Sequence, residues 1–315
     1  PSYAVYPLES LLNHSEFQVV AVVSQPPKPV GRGRRDSSLV DPPLATFAKS
    51  QGIVTLQPPK ASDLAFLEKL RELSPDVIVT CSYGQILTDS FLKIPKRATI
   101  NIHPSKLPHY RGAIPVPSAL LDGLRETSVT VLFTVKALDA GNMIAQESFS
   151  IGSQETAKEL LERLFKSSGP LLHQALEKLK DPSFQGDPQD PDQVSHCRKI
   201  QKEDGLIDWK HSGDHLYNSY RAYQPWPGSY TFFKGKRVLV TKMGVPKESV
   251  SDKEDFSFGQ GFFQKSDQTL WVRAKSKWIA ILRVKPEGKK EMPVGDFWNG
   301  LGLKKTDMVQ FDLSV

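Results

Sequence analysis

Three side chains of the chain carry the parts of an acyl-transfer reaction: the amide of Asn101, the imidazole of His103 and the carboxylate of Asp139. Each stands beside turn formers. Asn101-Ile-His103-Pro-Ser105-Lys-Leu107-Pro108 is followed by Tyr110-Arg111-Gly112, and Asp139 lies in Leu138-Asp139-Ala-Gly141. Moving an acyl group onto an amine requires an uncharged attacking amine, stabilisation of the tetrahedral oxyanion and a group that handles the departing proton. Asn101 can donate an amide N–H to the oxyanion and His103 a second hydrogen bond; preorganised donors of this kind contribute about 3 kcal/mol each. Asp139 can orient and charge-balance His103, or accept the proton of the amine directly. None of this needs a metal. Taken singly, Asn before a turn, His beside Pro and Asp in Leu-Asp-Ala-Gly are ordinary loop residues. Their shared position at strand ends favours the chemical reading.

The elements that position them follow from hydrophobic patterning. Residues 17–23 and 77–80 are short, apolar and β-branched, and read as buried parallel strands. Residues 62–73 place Leu64, Leu67, Leu70 and Leu73 on one helical stripe, stopped by Ser74-Pro75-Asp76. Strands alternating with such helices predict βαβ units and a doubly wound α/β domain. Residues 98–102 and 128–135 are further strands, each bringing a polar group to its end, where ligand crevices form in open α/β sheets. Thr156 with Glu159 predicts a capping box, and Gly169-Pro170 interrupts the apolar pattern that resumes through Leu179.

With 315 residues, 39% of them hydrophobic, the chain can bury a full core, and a prior of roughly 100 to 200 residues per domain favours two domains over one large one. Residues 1–180 are expected to form the catalytic domain. Residues 181–203, rich in Pro, Asp, Gln and Gly, read as a linker. Residues 204–315 carry strand-like runs at 229–233, 237–241, 269–274 and 278–284 that predict a small antiparallel barrel, with 250–258 as an exposed loop. This part also holds most of the charge: 18 Lys and Arg stand against 13 Asp and Glu, which is +5 of the formal net charge of +6. Lys234, Lys236, Arg237, Lys242, Arg273, Lys275 and Lys277 lie in or near its strands. A basic face of this kind suits RNA, and a solvated surface explains the charge equally well. Tyr223 and Trp226 read as packing residues. Cys81 and Cys197 have neither disulfide-framework nor zinc spacing, which points to a reducing compartment. No run reaches the roughly 18 apolar residues of a membrane helix and no secretory pattern opens the chain, so a soluble protein, already processed or trimmed and without a membrane partner, is expected; a monomer is expected as well.

At these residues the chain resembles the folate-dependent formyltransferase family, over nearly its whole length. Asn101-x-His103-Pro-Ser105-x-Leu107-Pro108 with Arg111-Gly112 is the specific motif. Ser24-Gln-Pro-Pro-Lys28-Pro-Val-Gly31-Arg32-Gly33-Arg34 is similar to a basic tRNA-contacting loop, and Ser82-Tyr83-Gly84-Gln-Ile86-Leu87 to a folate-pocket strand end. Ile207-Asp-Trp209 and Arg221-Ala-Tyr-x-Pro225-Trp226-Pro227 are similar to landmarks of the C-terminal domain found in members that act on charged tRNA. The resemblance implies a Rossmann-like domain joined to an OB-like β-barrel, and transfer of the formyl group of 10-formyltetrahydrofolate to the α-amine of methionyl initiator tRNA, supporting translation initiation.

Carried over by motif, Asn101, His103 and Asp139 would be the catalytic trio. Ser105, Lys106, Leu107 and Pro108 would border the folate, with Tyr83, Gly84, Ile86 and Leu87 and the loop 135–139 closing the pterin pocket. Lys28, Arg32, Arg34 and Arg35 would contact tRNA, Arg32 at the acceptor stem, and Tyr3 would lie near the methionine side chain. Lys106 replaces an apolar residue of the family, and is expected either beside the folate or turned to solvent or the anionic glutamate tail. Asn142 stands where Asp or Pro is common. The family's first strand would precede Pro1: either that segment lies outside this sequence, or the sheet lacks a strand and the pocket a wall. Two rivals remain: a formyl-folate enzyme that uses water or a small amine as acceptor, and a noncatalytic tRNA-binding protein. Formylated initiator tRNA implies a bacterial cytoplasm, or a mitochondrion or plastid, and the divergent residues favour an organelle.

Overall fold

The computed structural model describes residues 1–29, 39–250, 256–303 and 307–312. The chain divides into two compact units, Pro1–Pro115 with Glu126–Ser150 and Leu161–Cys197, and Val116–Arg125 with Ile151–Leu160 and Arg198–Val315.

The strands of the first unit are β1 (Val22–Val23), β2 (Lys28–Pro29), β3 (Leu39–Val40), β4 (Thr55–Leu56), β5 (Val77–Thr80), β6 (Ala98–His103), β7 (Glu126–Phe133) and β8 (Met143–Ser150). β5 to β8 form one sheet in that order. β5 and β6 are parallel, whereas β7 and β8 run antiparallel to their neighbours, so this sheet is mixed. β8 escaped the sequence reading because its middle, Gln146-Glu147-Ser148, is a polar, exposed edge. β1 pairs in parallel with β4, and β2 pairs antiparallel with β3, as separate ladders. The strand expected over 17–23 is confined to its last two residues. A cavity of about 770 Å³ is lined by residues 19–25 and 77–83 among others.

Among the helices up to residue 178, α1 (Val5–Leu12), α2 (Pro43–Ser50), α3 (Leu64–Glu72), α4 (Asp89–Leu92), α5 (Pro115–Leu121), α6 (Ala157–Ser167) and α7 (Gly169–Lys178), α3 shows how patterning acts. The Asp63 carboxylate caps it by accepting from the Phe66 N–H at 3.0 Å. Phe66, Leu67 and Leu70 then pack with Phe91, each burial contributing roughly 1.5–3 kcal/mol. Leu64, counted in the stripe by spacing, is 75% exposed in the first turn. The Thr156–Glu159 capping box forms, with reciprocal bonds of 2.8 and 3.4 Å.

The second unit contains α8 (Gly213–Ala222), α9 (Val294–Gly300) and the antiparallel strands β9 (Ser229–Phe233), β10 (Lys236–Lys247), β11 (Gln260–Gln264), β12 (Thr269–Arg273), β13 (Trp278–Pro286), β14 (Met292–Pro293) and β15 (Val309–Gln310). Their order is β15-β11-β12-β13-β10-β9, with β14 also on β13. Register shifts between β10 and β13 bend the long strands. The ends of the path meet at Phe232 and Asp312, whose backbones exchange bonds of 3.2 and 2.9 Å, so the sheet curls towards a barrel. Leu270, Ile279, Ile281 and Val284 fill its interior. Trp209 is buried and donates its indole N–H to Thr231 Oγ1 at 3.2 Å. Tyr223 packs as expected, but Trp226 does not: it is 59% exposed.

Residues 181–197, read as part of a linker, are bound to the first unit. Asp187 and Met143 exchange two backbone bonds of 2.8 Å, and Cys197 donates its backbone N–H to the Arg111 carbonyl at 2.8 Å. Their polar composition reflects hydrogen bonding to strand edges.

Candidate active site

The period of two along β6 puts Asn101 and His103 on one face of the sheet. Parallel register sets Thr80 of β5 opposite Asn101. The Thr80 hydroxyl shares its one hydrogen between two acceptors at 2.9 Å, the Ile100 carbonyl and Asn101 Oδ1, and the Asn101 Nδ2 faces Asp139 Oδ1 at 3.4 Å. Asp139 Oδ2 accepts the Gly112 backbone N–H at 2.8 Å and lies 3.7 Å from His103 Nδ1. The His103 Nε2 is 3.0 Å from the Tyr110 carbonyl. A carbonyl only accepts, so Nε2 carries the hydrogen and Nδ1 faces the carboxylate. The His103 and Asp139 side chains are 5% and 9% exposed.

Backbone conformation supports this arrangement. Asp139 has φ +51, which costs an L-residue on the order of 1 kcal/mol and places its carboxylate back towards the β5–β6 ends. A Cβ at Gly141 would overlap the Phe133 carbonyl, so only glycine lets the turn lie against β7.

The residues expected around the folate have differing positions. Ser105 is fully buried and donates to the His109 carbonyl at 2.8 Å; Leu107 is buried and its carbonyl accepts from Gln146 at 3.1 Å; Pro108 is also buried. Lys106 points outward, 3.6 Å from Glu126, with both side chains 56% exposed. Tyr83 has a buried hydroxyl without a hydrogen-bond partner among the described residues, as have Thr88 and Thr134, and burial pushes the Tyr83 phenol up. Gly84 adopts φ +74, Ile86 is 89% exposed, and Leu87 packs against the Phe66 cluster.

Tyr3 stacks on Phe165 with centroids 4.7 Å apart and reaches Ser82 Oγ at 3.4 Å; burial raises its phenol pKa. Lys28 is exposed in β2, paired with Val40. Arg32, Arg34 and Arg35 lie outside the described residues. No group of three His, Cys, Asp or Glu side chains that could hold a metal occurs among the described residues. Cys81 has its thiol pKa pushed up to about 12 by burial, which leaves it without thiolate at neutral pH. The large cavity touches Thr80 and Tyr83 but none of Asn101, His103 and Asp139, so cavity size does not mark the reacting centre.

Sequence reasoning missed Thr80, Thr134 and Gln189. Pairing residues 77–80 with 98–101 in parallel register would have found Thr80; Gln189, in a polar segment, carries no local signal.

A mixed α/β sheet bearing an Asn-x-His strand end and an aspartate turn defines a class, and residues 7–176 match the formyl transferase family while 199–302 match the formyl transferase C-terminal domain. The chain belongs to the formyl transferase family. Among its relatives, the methionyl-tRNA formyltransferase of Geobacter metallireducens is 36% identical over 304 residues, 96% of this chain and 94% of that one. That of Thermus thermophilus is 37% identical over 303 residues, again 96% and 94%. The fold is similar to that of an N-formyltransferase from Helicobacter canadensis solved with folinic acid and dTDP-3-aminofucose: TM-score 0.64 and 18% identity, covering 89% of this chain and 95% of that one.

Proposed function

We propose that the protein transfers the formyl group of 10-formyltetrahydrofolate to the α-amine of methionyl initiator tRNA. The observation that carries this reading is the Asp139 carboxylate, shared among the Gly112 N–H, Asn101 Nδ2 and His103 Nδ1 at 2.8, 3.4 and 3.7 Å. The relatives supply the substrates, being methionyl-tRNA formyltransferases matched over almost the full chain.

The amine attacks the formyl carbon, an oxyanion forms, and the bond from that carbon to the folate nitrogen breaks. Asn101 uses one Nδ2 hydrogen towards Asp139, which leaves the second for the oxyanion. His103, with Nε2 committed to Tyr110, serves with Asp139 as the place where the amine's proton is held before it passes to the leaving nitrogen. That assignment differs from a direct His103 bond to the oxyanion, because neither ring nitrogen is free for one. The pterin site fits the segments 83–88 and 134–139: the hydroxyls of Tyr83, Thr88 and Thr134, without a hydrogen-bond partner among the described residues, suit a heterocycle rich in donors and acceptors. Ile86, Val135 and Leu138, at 89%, 44% and 65% exposure, supply apolar surface that a ring would cover. Lys28 and the net positive second unit supply cations for the tRNA backbone.

The test is a mixing assay with the purified chain, labelled 10-formyltetrahydrofolate and methionyl initiator tRNA. Label on the aminoacyl group of the tRNA is the expected result. Release of formate without tRNA, or transfer to an amino sugar, would replace this reading with another acceptor; tRNA binding without turnover would make the chain a binding protein.

A further inference from the structure

Gln189 holds both ends of the turn that carries Asp139. Its Nε2 donates to the Asp139 carbonyl at 2.8 Å and to the Gly141 carbonyl at 2.7 Å. Its Oε1 accepts from Arg111 Nε and Nη2 at 3.0 and 2.8 Å. A guanidinium only donates, so the amide oxygen must face Arg111 and both amide hydrogens must face the turn. Every hydrogen-bonding position of the amide is used, and its orientation is determined.

The turn needs such a hold. Asp139 is a non-glycine residue at φ +51, a conformation that persists where its surroundings over-determine it. Gly112 grips the carboxylate through its N–H while the adjacent Arg111 orients the amide that grips the backbone. Ser195 and Cys197 bind the Arg111 backbone from the same segment, at 2.9 and 2.8 Å, so residues 189–197 brace the loop on both sides. We propose that Gln189 is a positioning residue for formyl transfer, acting through Asp139. Without its two donors the turn relaxes and the carboxylate leaves the position it shares with Asn101 and His103. This inference rests on the catalytic role of Asp139 stated above.

Two variants of the full chain test it. Gln189→Met keeps the side-chain volume and loses the hydrogen bonds; Gln189→Glu keeps the Arg111 contact, which anchors the segment, and loses both donors. Each is expected to lower kcat about 10- to 100-fold, the scale of an ångström misplacement at a reacting centre, with KM for formyl donor and tRNA within about 2-fold of wild type. In an Asp139→Asn background the same changes are expected to cost under about 3-fold, because residues acting as one unit are non-additive. Wild-type kcat in either folded variant would overturn the inference, as would a full multiplicative loss in the Asp139→Asn background, which marks a general structural role. Asp139→Asn at wild-type rate would instead overturn the proposed function itself.

Discussion

The surroundings of Asp139 and the basic surface of the second unit are organised on opposite plans. Around Asp139 the polar atoms have directed partners, most within 3.4 Å, and few atoms could be exchanged without leaving another unbonded. On the second unit the cations are numerous and individually replaceable. Lys234, Lys236, Lys242 and Lys275 are exposed. Others that the sequence assigned to an RNA face are otherwise engaged: Lys277 pairs with Asp214 and Glu248 at 2.9 and 3.2 Å, and Arg237 lies 3.8 Å over the Tyr230 ring. Directed geometry makes function sensitive to one atom. Distributed charge makes it sensitive to number.

The sharpest way to break that contrast is Asp139→Asn. It keeps the shape and removes the acceptor of the proton, so single-turnover formyl transfer is expected to fall about 10³-fold, within the range typical of a lost acid–base group. Affinity for tRNA, measured by filter binding, is expected to stay within about 2-fold. A rate loss below about 10-fold would mean that the carboxylate only supports the loop. Asn101→Ala comes next. Removing one oxyanion donor is expected to lower kcat about 10²- to 10³-fold with little change in KM, and a rise in KM alone would assign Asn101 to substrate binding.

Much of this site was legible because its chemistry lies on a regular element. Asn101 and His103 are two apart on a β-branched strand, so alternation by itself puts them on one face. Asp139 was legible through its turn sequence, although its approach to them depends on antiparallel β7, which patterning alone did not orient. Gln189 was hidden for a physical reason: a residue that bonds to backbone carbonyls of a distant turn leaves no periodic or charge signature in its own neighbourhood. Trp226 misled because a large aromatic flanked by prolines has the composition of a packed residue, and composition does not report which way a loop turns. The separation of β1–β4 from β5 was invisible for a related reason, since apolar residues 17–21 satisfy a strand pattern whether or not a neighbour exists to pair with them.

Thr80→Val sharpens the comparison at smaller scale. The hydroxyl touches no substrate in the proposed reaction, and it lies 2.9 Å from both Asn101 Oδ1 and the Ile100 carbonyl. A neutral hydrogen bond of this kind is worth about 1 kcal/mol, so kcat is expected to fall about 5-fold. The thermal midpoint is expected to shift little, because valine fills the same volume in β5. An unchanged kcat would show that Asn101 is held without Thr80.

Lys236→Ala is expected to do least, and its value lies in how little it does. Lys236 is exposed at the start of β10, opposite Phe233 in the hairpin register and close in sequence to Lys234. If it meets one phosphate of the bound tRNA, its removal lowers the slope of log affinity against log salt by about 0.7 to 0.9. The loss at moderate salt is then only a few-fold, and adding Lys234→Ala should lower the slope by a similar step. Rate at saturating tRNA should not change. Equal steps without loss of kcat are the signature of charges that act by number, whereas a collapse of binding on the first substitution would mean that this surface, too, depends on a single directed contact.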